Sequence, residues 1–189
     1  ESIDQEYLIK LNLLQKDNIR LREILSLQES STTESITAAV ISRKTGGWWR
    51  QIILNKGSND GVEIGSAVIG PGGLLGRVND SSLFTSSVTL LTAPESKVGV
   101  WVDRIQINGL LVGVGDDYPS LILYTKDPDI KVGDFISSSP SSTLLPSNIP
   151  IGIVKSVDER LKGQTTAKIS LLAKPQVIDW VQILRVNTK

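Results

Sequence analysis

The sequence predicts a mainly β protein, in which an N-terminal α-helical coiled coil is followed by two small β-barrel subdomains. Residues 1 to about 30 contain no Gly or Pro and are rich in Leu, Ile, Glu, Lys and Gln, which favour a helix. From Ile36 onward, short runs of Val, Ile, Leu and Thr alternate with Gly, Pro, Asn and Ser clusters, which is typical of strands separated by turns. The β region also repeats itself in order, which indicates two units of similar topology.

The N-terminal helix carries a heptad seam. Positions separated by four and three residues in turn are Tyr7, Leu11, Leu14, Asn18, Leu21, Leu25 and Gln28. Leu11, Asn18 and Leu25 occupy a positions, and Leu14 and Leu21 occupy d positions. A single Asn at an a position costs stability but fixes the register, most often in a parallel dimer.

Charged residues beside the seam agree with a parallel pairing. Asp17 falls at g and Arg22 at the following e, where opposite charges of two parallel helices meet. We therefore expect a homodimer interface made by Tyr7, Leu11, Leu14, Asp17, Asn18, Leu21, Arg22 and Leu25. The alternative is one amphipathic helix packed on its own domain, since the seam covers only about three heptads.

A polar hinge at 30–35 separates the helix from the β region. Four segments then recur in the same order: 61–65 with 129–133, 74–78 with 150–154, 88–94 with 169–175, and 101–102 with 180–181. Small all-β units usually close into barrels, which removes exposed strand edges. We expect the helix and hinge at 1–34, the first barrel at 35–105 and the second at 106–189. Convergent strand-and-turn patterning without a true repeat is the alternative.

The composition excludes several kinds of catalytic site. The chain has 20 Lys+Arg and 20 Asp+Glu, so its net charge is zero, which argues against a nucleic-acid partner. It has no Cys, which removes disulfides and thiolate sites, and no His, which removes an imidazole base. Met is absent too, so we expect a further segment before Glu1, and that segment is a candidate membrane anchor. No apolar run reaches the ~18 residues of a membrane-spanning helix.

The remaining motifs point to turns and not to chemistry. Ser-x-x-Lys, Gly-x-Ser-x-Gly and Walker A patterns are absent, and the glycines at 70–76 miss the Gly-x-Gly-x-x-Gly spacing. Asp127, Asp129 and Asp134 suggest a Ca²⁺ loop, but Lys131 stands at the third ligand position. A pair of carboxylates for glycoside hydrolysis remains an alternative, because their spatial separation is not readable from the sequence. The low aromatic content of 5% argues against a sugar-stacking cleft. We expect no catalytic residue, no metal and no cofactor.

Trp48-Trp49 is the most unusual dipeptide of the sequence. In an extended strand, neighbouring side chains point to opposite faces, so one ring would enter the core and the other would face solvent or a partner. Exposed Trp is enriched at protein interfaces. The alternative is that a bend at Gly46-Gly47 buries both rings.

An ordered set of segments carries a family resemblance over nearly the whole chain. The segments are Leu54-Asn55-Lys56-Gly57-Ser58-Asn59-Asp60-Gly61-Val62, Gly73-Leu74-Leu75-Gly76-Arg77-Val78, Leu90-Leu91-Thr92-Ala93-Pro94-Glu95-Ser96-Lys97-Val98, Asn108-Gly109-Leu110-Leu111-Val112-Gly113, Asp129-Ile130-Lys131-Val132-Gly133-Asp134 and Leu145-Pro146-Ser147-Asn148-Ile149-Pro150-Ile151-Gly152. Behind a short coiled coil, this order resembles the bacterial rod shape-determining MreC family. One departure is the Ser-rich stretch 137–143, where many members have a glycine-rich turn.

The resemblance implies a scaffold of the cell-wall elongation complex, or elongasome, with no catalysis. It implies a single-pass protein of the bacterial inner membrane, anchored by a helix before this sequence, with the present region on the periplasmic side. The implied partners are MreD, the glycosyltransferase RodA, a penicillin-binding transpeptidase and, across the membrane, MreB, and the dimers could extend into filaments. It also implies an alternative pairing in which the strand at 36–41 belongs to the second barrel.

Two other functions fit parts of the pattern. A coiled-coil and β-barrel adaptor of a transport or secretion assembly would share the helix but bind pump or channel components. A hydrolase on a two-barrel fold would need an unconventional Ser, Thr or Asp centre. We expect Trp48 and Trp49 to mark the partner-binding region in the scaffold interpretation.

Overall fold

The computed structural model describes residues 2–24, 34–125, 127–142, 145–161 and 164–185. The chain divides into two compact units, 1–34 and 35–189. The first unit contains helix α1, Ser2–Ile24. The strands of the second are β1 Ser35–Lys44, β2 Gln51–Leu54, β3 Ala67–Gly70, β4 Gly73–Ser81, β5 Ser86–Leu90, β6 Lys97–Val102, β7 Ile107–Val112, β8 Ser120–Leu123, β9 Phe135–Ser138, β10 Pro150–Leu161, β11 Gln164–Leu171 and β12 Trp180–Leu184.

The strands form two closed antiparallel barrels. The first barrel has the order β1-β12-β3-β4-β5-β2, and the second has the order β10-β11-β8-β7-β6-β9. In each barrel the last strand of this order pairs with the first. A 3₁₀ turn at Ser58–Asp60 follows β2. The predicted mainly β fold, with two barrels behind an N-terminal helix, is confirmed. The coiled coil itself remains a prediction.

The barrels exchange one strand each. The sequence analysis expected the first barrel to end at residue 105 and the second to begin at residue 106. Strand β6 follows β5 of the first barrel but pairs with β7 and β9 of the second. Strand β12 follows β11 of the second barrel but pairs with β1 and β3 of the first. The strand at 36–41 lies in β1, which pairs with β12, from the 106–189 range expected to form the second barrel, and with β2. In the observed topology both partner strands belong to the first barrel.

The exchange makes the two strand orders equivalent. Each strand of the first barrel has an equivalent in the second. The order β12-β3-β4-β5-β2-β1 of the first barrel corresponds, strand by strand, to the order β6-β9-β10-β11-β8-β7 of the second. The repeated sequence segments fall on matching positions. The Gly65 N–H donates to the Val78 carbonyl at 2.7 Å, and the Gly133 N–H donates to the Val154 carbonyl at 2.9 Å. The predicted repeat is therefore confirmed.

Alternating strand residues fill two cores. Buried side chains of the first barrel include Ile52, Leu54, Val68, Val88, Leu90, Val181 and Ile183. Those of the second include Val98, Val100, Val102, Leu111, Leu121, Leu123, Ile136, Ile151 and Ile169. Leu74 of β4 and Leu91 after β5 pack into the second cluster, so the apolar contacts continue from one barrel to the other. Because burial of apolar surface is the main favourable term in folding, this continuity holds the barrels together.

Candidate partner-binding surface

The Trp48-Trp49 pair lies in the turn between β1 and β2, and both rings are exposed. Strand β1 ends at Lys44 and β2 begins at Gln51, so neither Trp belongs to a strand. The exposed fraction is 77% for Trp48 and 71% for Trp49. The expectation that one ring enters the core is wrong, and so is the alternative that both are buried. The alternation rule does not apply to these residues because the strand ends before them.

More exposed apolar side chains lie at the same end of the first barrel. Trp180 starts β12 and is 62% exposed, and Val177 in the preceding turn is 75% exposed. Together with Pro71 and Leu172 they line a shallow groove of about 370 Å³. We call Trp48, Trp49, Val177 and Trp180 the aromatic end of the first barrel.

Strand register places these residues at one end. Trp180 pairs with Ala39 at the middle of β1, and β1 runs from there toward the Trp48-Trp49 turn. Arg43 fastens the Val177 turn to β1: its guanidinium donates to the Ile178 carbonyl at 2.7 Å and to Asp179 Oδ1 at 2.5 Å. Val177 and Trp180 of the aromatic end are thus held against β1, which lowers the entropy that this part loses when a partner binds.

The opposite end of the first barrel carries a different exposed pair. Leu83 and Phe84 lie in the turn between β4 and β5, and both side chains are exposed. The Ser58 N–H donates to the Ser82 carbonyl and the Asn59 N–H to the Leu83 carbonyl, so the 3₁₀ turn braces this hairpin. Because Leu54 of β2 pairs with Ser86 of β5, this turn lies away from the start of β2 and therefore from the aromatic end.

Contacts between the barrels lie near the aromatic end. Arg50 Nη1, just before β2, forms an ion pair with Asp117 Oδ1 of the β7–β8 loop at 2.9 Å. The Gly115 N–H donates to the Thr92 carbonyl at 2.9 Å. A Cβ added at Gly113 would stand 1.9 Å from the Ala93 carbonyl oxygen, so these two backbone segments approach as closely as glycine allows.

An ion-pair network fixes the loop before β9. Arg104 Nε donates to Asp134 Oδ1 at 2.6 Å, and Arg104 Nη1 donates to Asp129 Oδ2 at 3.0 Å. Hydrogen bonds from Arg104, followed by one from the Lys131 backbone, hold the pKa of Asp134 below its ordinary range against the opposing effect of burial. Arg104 and Lys131 likewise lower the pKa of Asp129. These aspartates, predicted to belong to a turn, serve that turn structurally.

The seam residues are placed only in part. Tyr7, Leu11, Leu14 and Asp17 lie on α1 with exposed side chains. Asn18, Leu21 and Arg22 also lie within α1, but their side chains are not described, and Leu25 lies outside the described residues. The dimer interface therefore stays a prediction.

Within the described ranges, no group of His, Cys, Asp and Glu side chains is placed to hold a metal ion. In the same ranges, α1 lacks the apolar stretch that a bilayer-crossing helix requires.

Sequence reasoning missed the exposure of Trp180, Val177, Leu83 and Phe84. The alternation of Trp180-Val181-Gln182-Ile183 was a signal, because every second residue must face away from the core. Which of the two sets faces outward depends on the partner strands, which a single sequence does not give.

Comparison with known proteins decides the family. A family profile described as "Rod shape-determining protein MreC, barrel core" matches residues 40–185. The chain belongs to the MreC family. Its sequence is 31% identical to the cell shape-determining protein MreC of Caulobacter vibrioides over 172 residues, covering 90% of this chain and 48% of that protein. The MreC of Bacillus subtilis is 31% identical, with 85% of this chain and 60% of that protein covered. The chain thus spans about half the length of the curated MreC relatives it matches.

Solved MreC structures share the fold. MreC from Listeria monocytogenes superposes with a TM-score of 0.81 and 28% identity, covering 97% of this chain and 93% of that one. A solved complex between a penicillin-binding protein and MreC from Helicobacter pylori contains a chain with a TM-score of 0.66 and 12% identity, covering 82% of this chain and 98% of that one. That likeness establishes the MreC barrel fold alone.

Proposed function

We propose that this MreC chain is a non-enzymatic scaffold of the cell-wall elongation complex that binds a peptidoglycan-synthesis protein through the aromatic end of its first barrel. The observation that carries the proposal is the exposure of three Trp rings and Val177 at one end of a rigid barrel. Monomeric proteins rarely expose large contiguous apolar patches, and those that do usually bind a partner there. Trp residues are also over-represented among the side chains that dominate binding energy.

The partner class follows from the family. The Helicobacter pylori relative is known in complex with a penicillin-binding protein. We propose a penicillin-binding transpeptidase as the direct partner of the aromatic end, with RodA and MreD as further members of the same assembly. MreB is proposed to join across the membrane, through a segment N-terminal to this sequence.

Helix α1 supplies the dimer in this proposal. Its exposed Tyr7, Leu11 and Leu14 recur at coiled-coil spacing. A parallel dimer would present two aromatic ends at once, which raises the effective concentration of the second binding event. We place this region on the periplasmic side of the inner membrane, and filaments of dimers are part of the same proposal.

The binding surface is tested with a paired set of variants. Trp48→Ala combined with Trp49→Ala should weaken binding to the purified periplasmic domain of a penicillin-binding transpeptidase at least tenfold, because two aromatic anchors are lost. The free energy of unfolding should change by less than about 0.5 kcal/mol, because both rings are exposed. Surface plasmon resonance and thermal unfolding measure the two quantities.

The matched control lies at the other end of the barrel. Leu83→Ala combined with Phe84→Ala removes two exposed apolar side chains from the β4–β5 turn. It should leave the affinity within twofold of the unaltered chain. Equal losses from both double variants would overturn the assignment of binding to the aromatic end.

Capture from detergent-solubilised bacterial envelope, with residues 1–189 as bait, tests the function as a whole. Recovery of a penicillin-binding transpeptidase or RodA supports the scaffold. Recovery of transporter or secretion components without wall-synthesis enzymes would contradict it and favour the adaptor.

A further inference from the structure

The groove at the aromatic end is shallow, mainly apolar and balanced in charge. Its volume of about 370 Å³ lies at the small end of the range of ligand-binding clefts. Trp180, Val177 and Leu172 contribute exposed apolar surface to it. Lys174 and Asp179 are the charged side chains of the lining, so their charges cancel. A neutral ligand with apolar faces suits this surface better than a charged one.

The walls of the groove are held in place by the barrel. Trp180 begins β12, and its backbone pairs with Ala39 of β1. The side chain of Ile178 is 5% exposed and packs in the core of the first barrel. The Val177 N–H donates to the Lys174 carbonyl at 3.2 Å, which closes the turn between them. A surface that is ordered beforehand loses little entropy when a ligand binds.

A peptide cannot bind here by adding a strand. Strand β12 pairs with β1 and with β3, and the barrel that contains it is closed. Strand addition requires an open sheet edge, which a closed barrel lacks. Among the described strands of this barrel, an extended peptide therefore has to be recognised through side chains.

An amphipathic helix is also a poor fit. Such a helix presents anchors from two turns, at positions i, i+3, i+4 and i+7, to a long hydrophobic groove. The groove of the aromatic end is confined to the segment 172–179, the start of β12 and Pro71. Its lining also lacks the arginine cluster that recognises phosphorylated or acidic motifs.

A polyproline II segment matches the groove. Proline-rich segments bind in aromatic-lined grooves, where their preformed conformation keeps the entropy cost low. Their rings are apolar and uncharged, as the balanced lining requires. A polyproline II backbone makes no internal hydrogen bonds, so its carbonyls are free to accept one from outside. The exposed indole of Trp180 carries an N–H that can donate it.

We propose that the groove of the aromatic end binds a neutral, proline-rich segment in the polyproline II conformation. The proline rings pack on Trp180, Val177 and Pro71, and one peptide carbonyl accepts a hydrogen bond from the Trp180 indole. The inference rests on the proposed function where it assigns this segment to the partner of the aromatic end. Recognition of the segment itself is tested without that partner.

The indole N–H signals provide the readout. The chain has four Trp residues, and their Nε1–Hε1 signals are recorded by ¹H–¹⁵N NMR on residues 1–189, with Trp180→Phe to assign that of Trp180. Acetyl-Pro-Leu-Pro-Pro-Leu-Pro-amide should shift the Trp180 signal in a saturable manner below about 1 mM. The signal of Trp101, on β6 of the second barrel, should stay in place. Acetyl-Ala-Leu-Ala-Ala-Leu-Ala-amide should bind at least about fivefold more weakly, because its flexible backbone loses more entropy.

A matched pair of variants locates the binding site. Val177→Ser should weaken binding of the proline peptide about three- to tenfold, because an apolar wall of the groove is lost. Val114→Ser makes the same substitution at a similarly exposed position after β7 of the second barrel and should leave the affinity within twofold. Equal losses from the two variants would place the peptide elsewhere and overturn the inference.

Two other ligands separate the possible outcomes. The inference is overturned if the proline peptide leaves the Trp180 signal unmoved, or if the alanine peptide or chitotetraose shifts it with equal affinity. Transpeptidase binding at the aromatic end without a response to the proline peptide would overturn the recognition mode alone. A saturable response to the peptide in a chain that does not bind the transpeptidase would support the recognition mode and overturn the proposed partner.

Discussion

At the residue scale, two glycines at equivalent places of the repeat show how close the strands approach. Gly76 on β4 pairs with Leu90, and Gly152 on β10 pairs with Leu171. A Cβ at Gly76 would stand 2.0 Å from the Thr89 carbonyl oxygen, and one at Gly152 would stand 2.6 Å from the Ser170 carbonyl oxygen. At Gly76 the obstacle is backbone, which has no rotamer that relieves the contact, whereas at Gly152 the Ile169 Cγ2 stands at 2.6 Å as well.

Gly76→Ala is therefore expected to destabilise the chain by roughly 1–3 kcal/mol, the range found for overpacked sites. Denaturant unfolding followed by circular dichroism measures the loss. Gly46→Ala is the control, since nothing lies within 4 Å of a Cβ at Gly46. Equal stability of the two variants would show that β4 and β5 can separate without cost.

The Arg104 network predicts a pH dependence of stability. The folded pKa of Asp134 lies below its ordinary value of 3.8, with the hydrogen bonds from Arg104 as the main cause. The ionised carboxylate therefore stabilises the fold above that ordinary value, and this contribution is lost as the pH falls through the lowered folded pKa. Asp134→Asn should lower stability at pH 7 and reduce the further loss between pH 5 and pH 2.

Asp129→Asn is the matched control for this prediction, because Asp129 bonds the same Arg104 from a mostly exposed position. Asp129→Asn should change the loss of stability between pH 5 and pH 2 clearly less than Asp134→Asn does, since solvent screens an exposed pair. Thermal unfolding across the pH range compares the two variants. An identical loss of stability at low pH in both would rule out a special role of the buried Asp134 carboxylate.

At the element scale, α1 combines a regular seam with one polar position. Its described apolar side chains are exposed, as a helix that associates with another copy would present them. The seam is short, so we expect the polar Asn18 to have a large effect on which helix association is favoured.

Asn18→Leu is expected to strengthen helix association but to allow more than one oligomeric state, because the polar a position no longer selects the parallel dimer. Sedimentation velocity measures the distribution of states. Asn12→Leu makes the same substitution off the seam and should leave the distribution unchanged. A single unaltered dimer in both variants would contradict the register role of Asn18.

At the scale of the whole molecule, the exchange of β6 and β12 joins the barrels into one unit. Each barrel closes only with a strand that follows the last sequential strand of the other. The two cores also share contacts through Leu74 and Leu91. Motion of one barrel against the other is therefore restrained by the covalent chain as well as by packing.

A chain ending at Asp179, which lacks β12, should open the first barrel and spare the second. Hydrogen exchange should show lost protection in β1–β5 and retained protection in β6–β11, since β12 pairs only with β1 and β3 in the described strands. A chain ending at Arg185 keeps β12 and should match the full sequence. Loss of protection first in β6–β11 would contradict the observed exchange.

Features that depend on local conformation and periodicity could be predicted from the amino-acid order. The helix follows from propensity, and the strands follow from alternation. The repeat was readable because Gly65 and Gly133 each adopt a positive φ, which favours glycine, and Val78 and Val154 accept matching hydrogen bonds.

The barrel that each strand joins and the surface that stays exposed depend on long-range contacts, which the folded structure reveals. Val98, Val100 and Val102 of β6 show an alternation that would fit either core, so the sequence pattern alone could not place the strand. The exposure of Trp48 and Trp49 followed from where β1 ends, and the ion pair of Arg50 from its meeting with Asp117 of the other barrel. These features rest on contacts between residues far apart in the chain, whereas periodicity reports only which face of an element is buried.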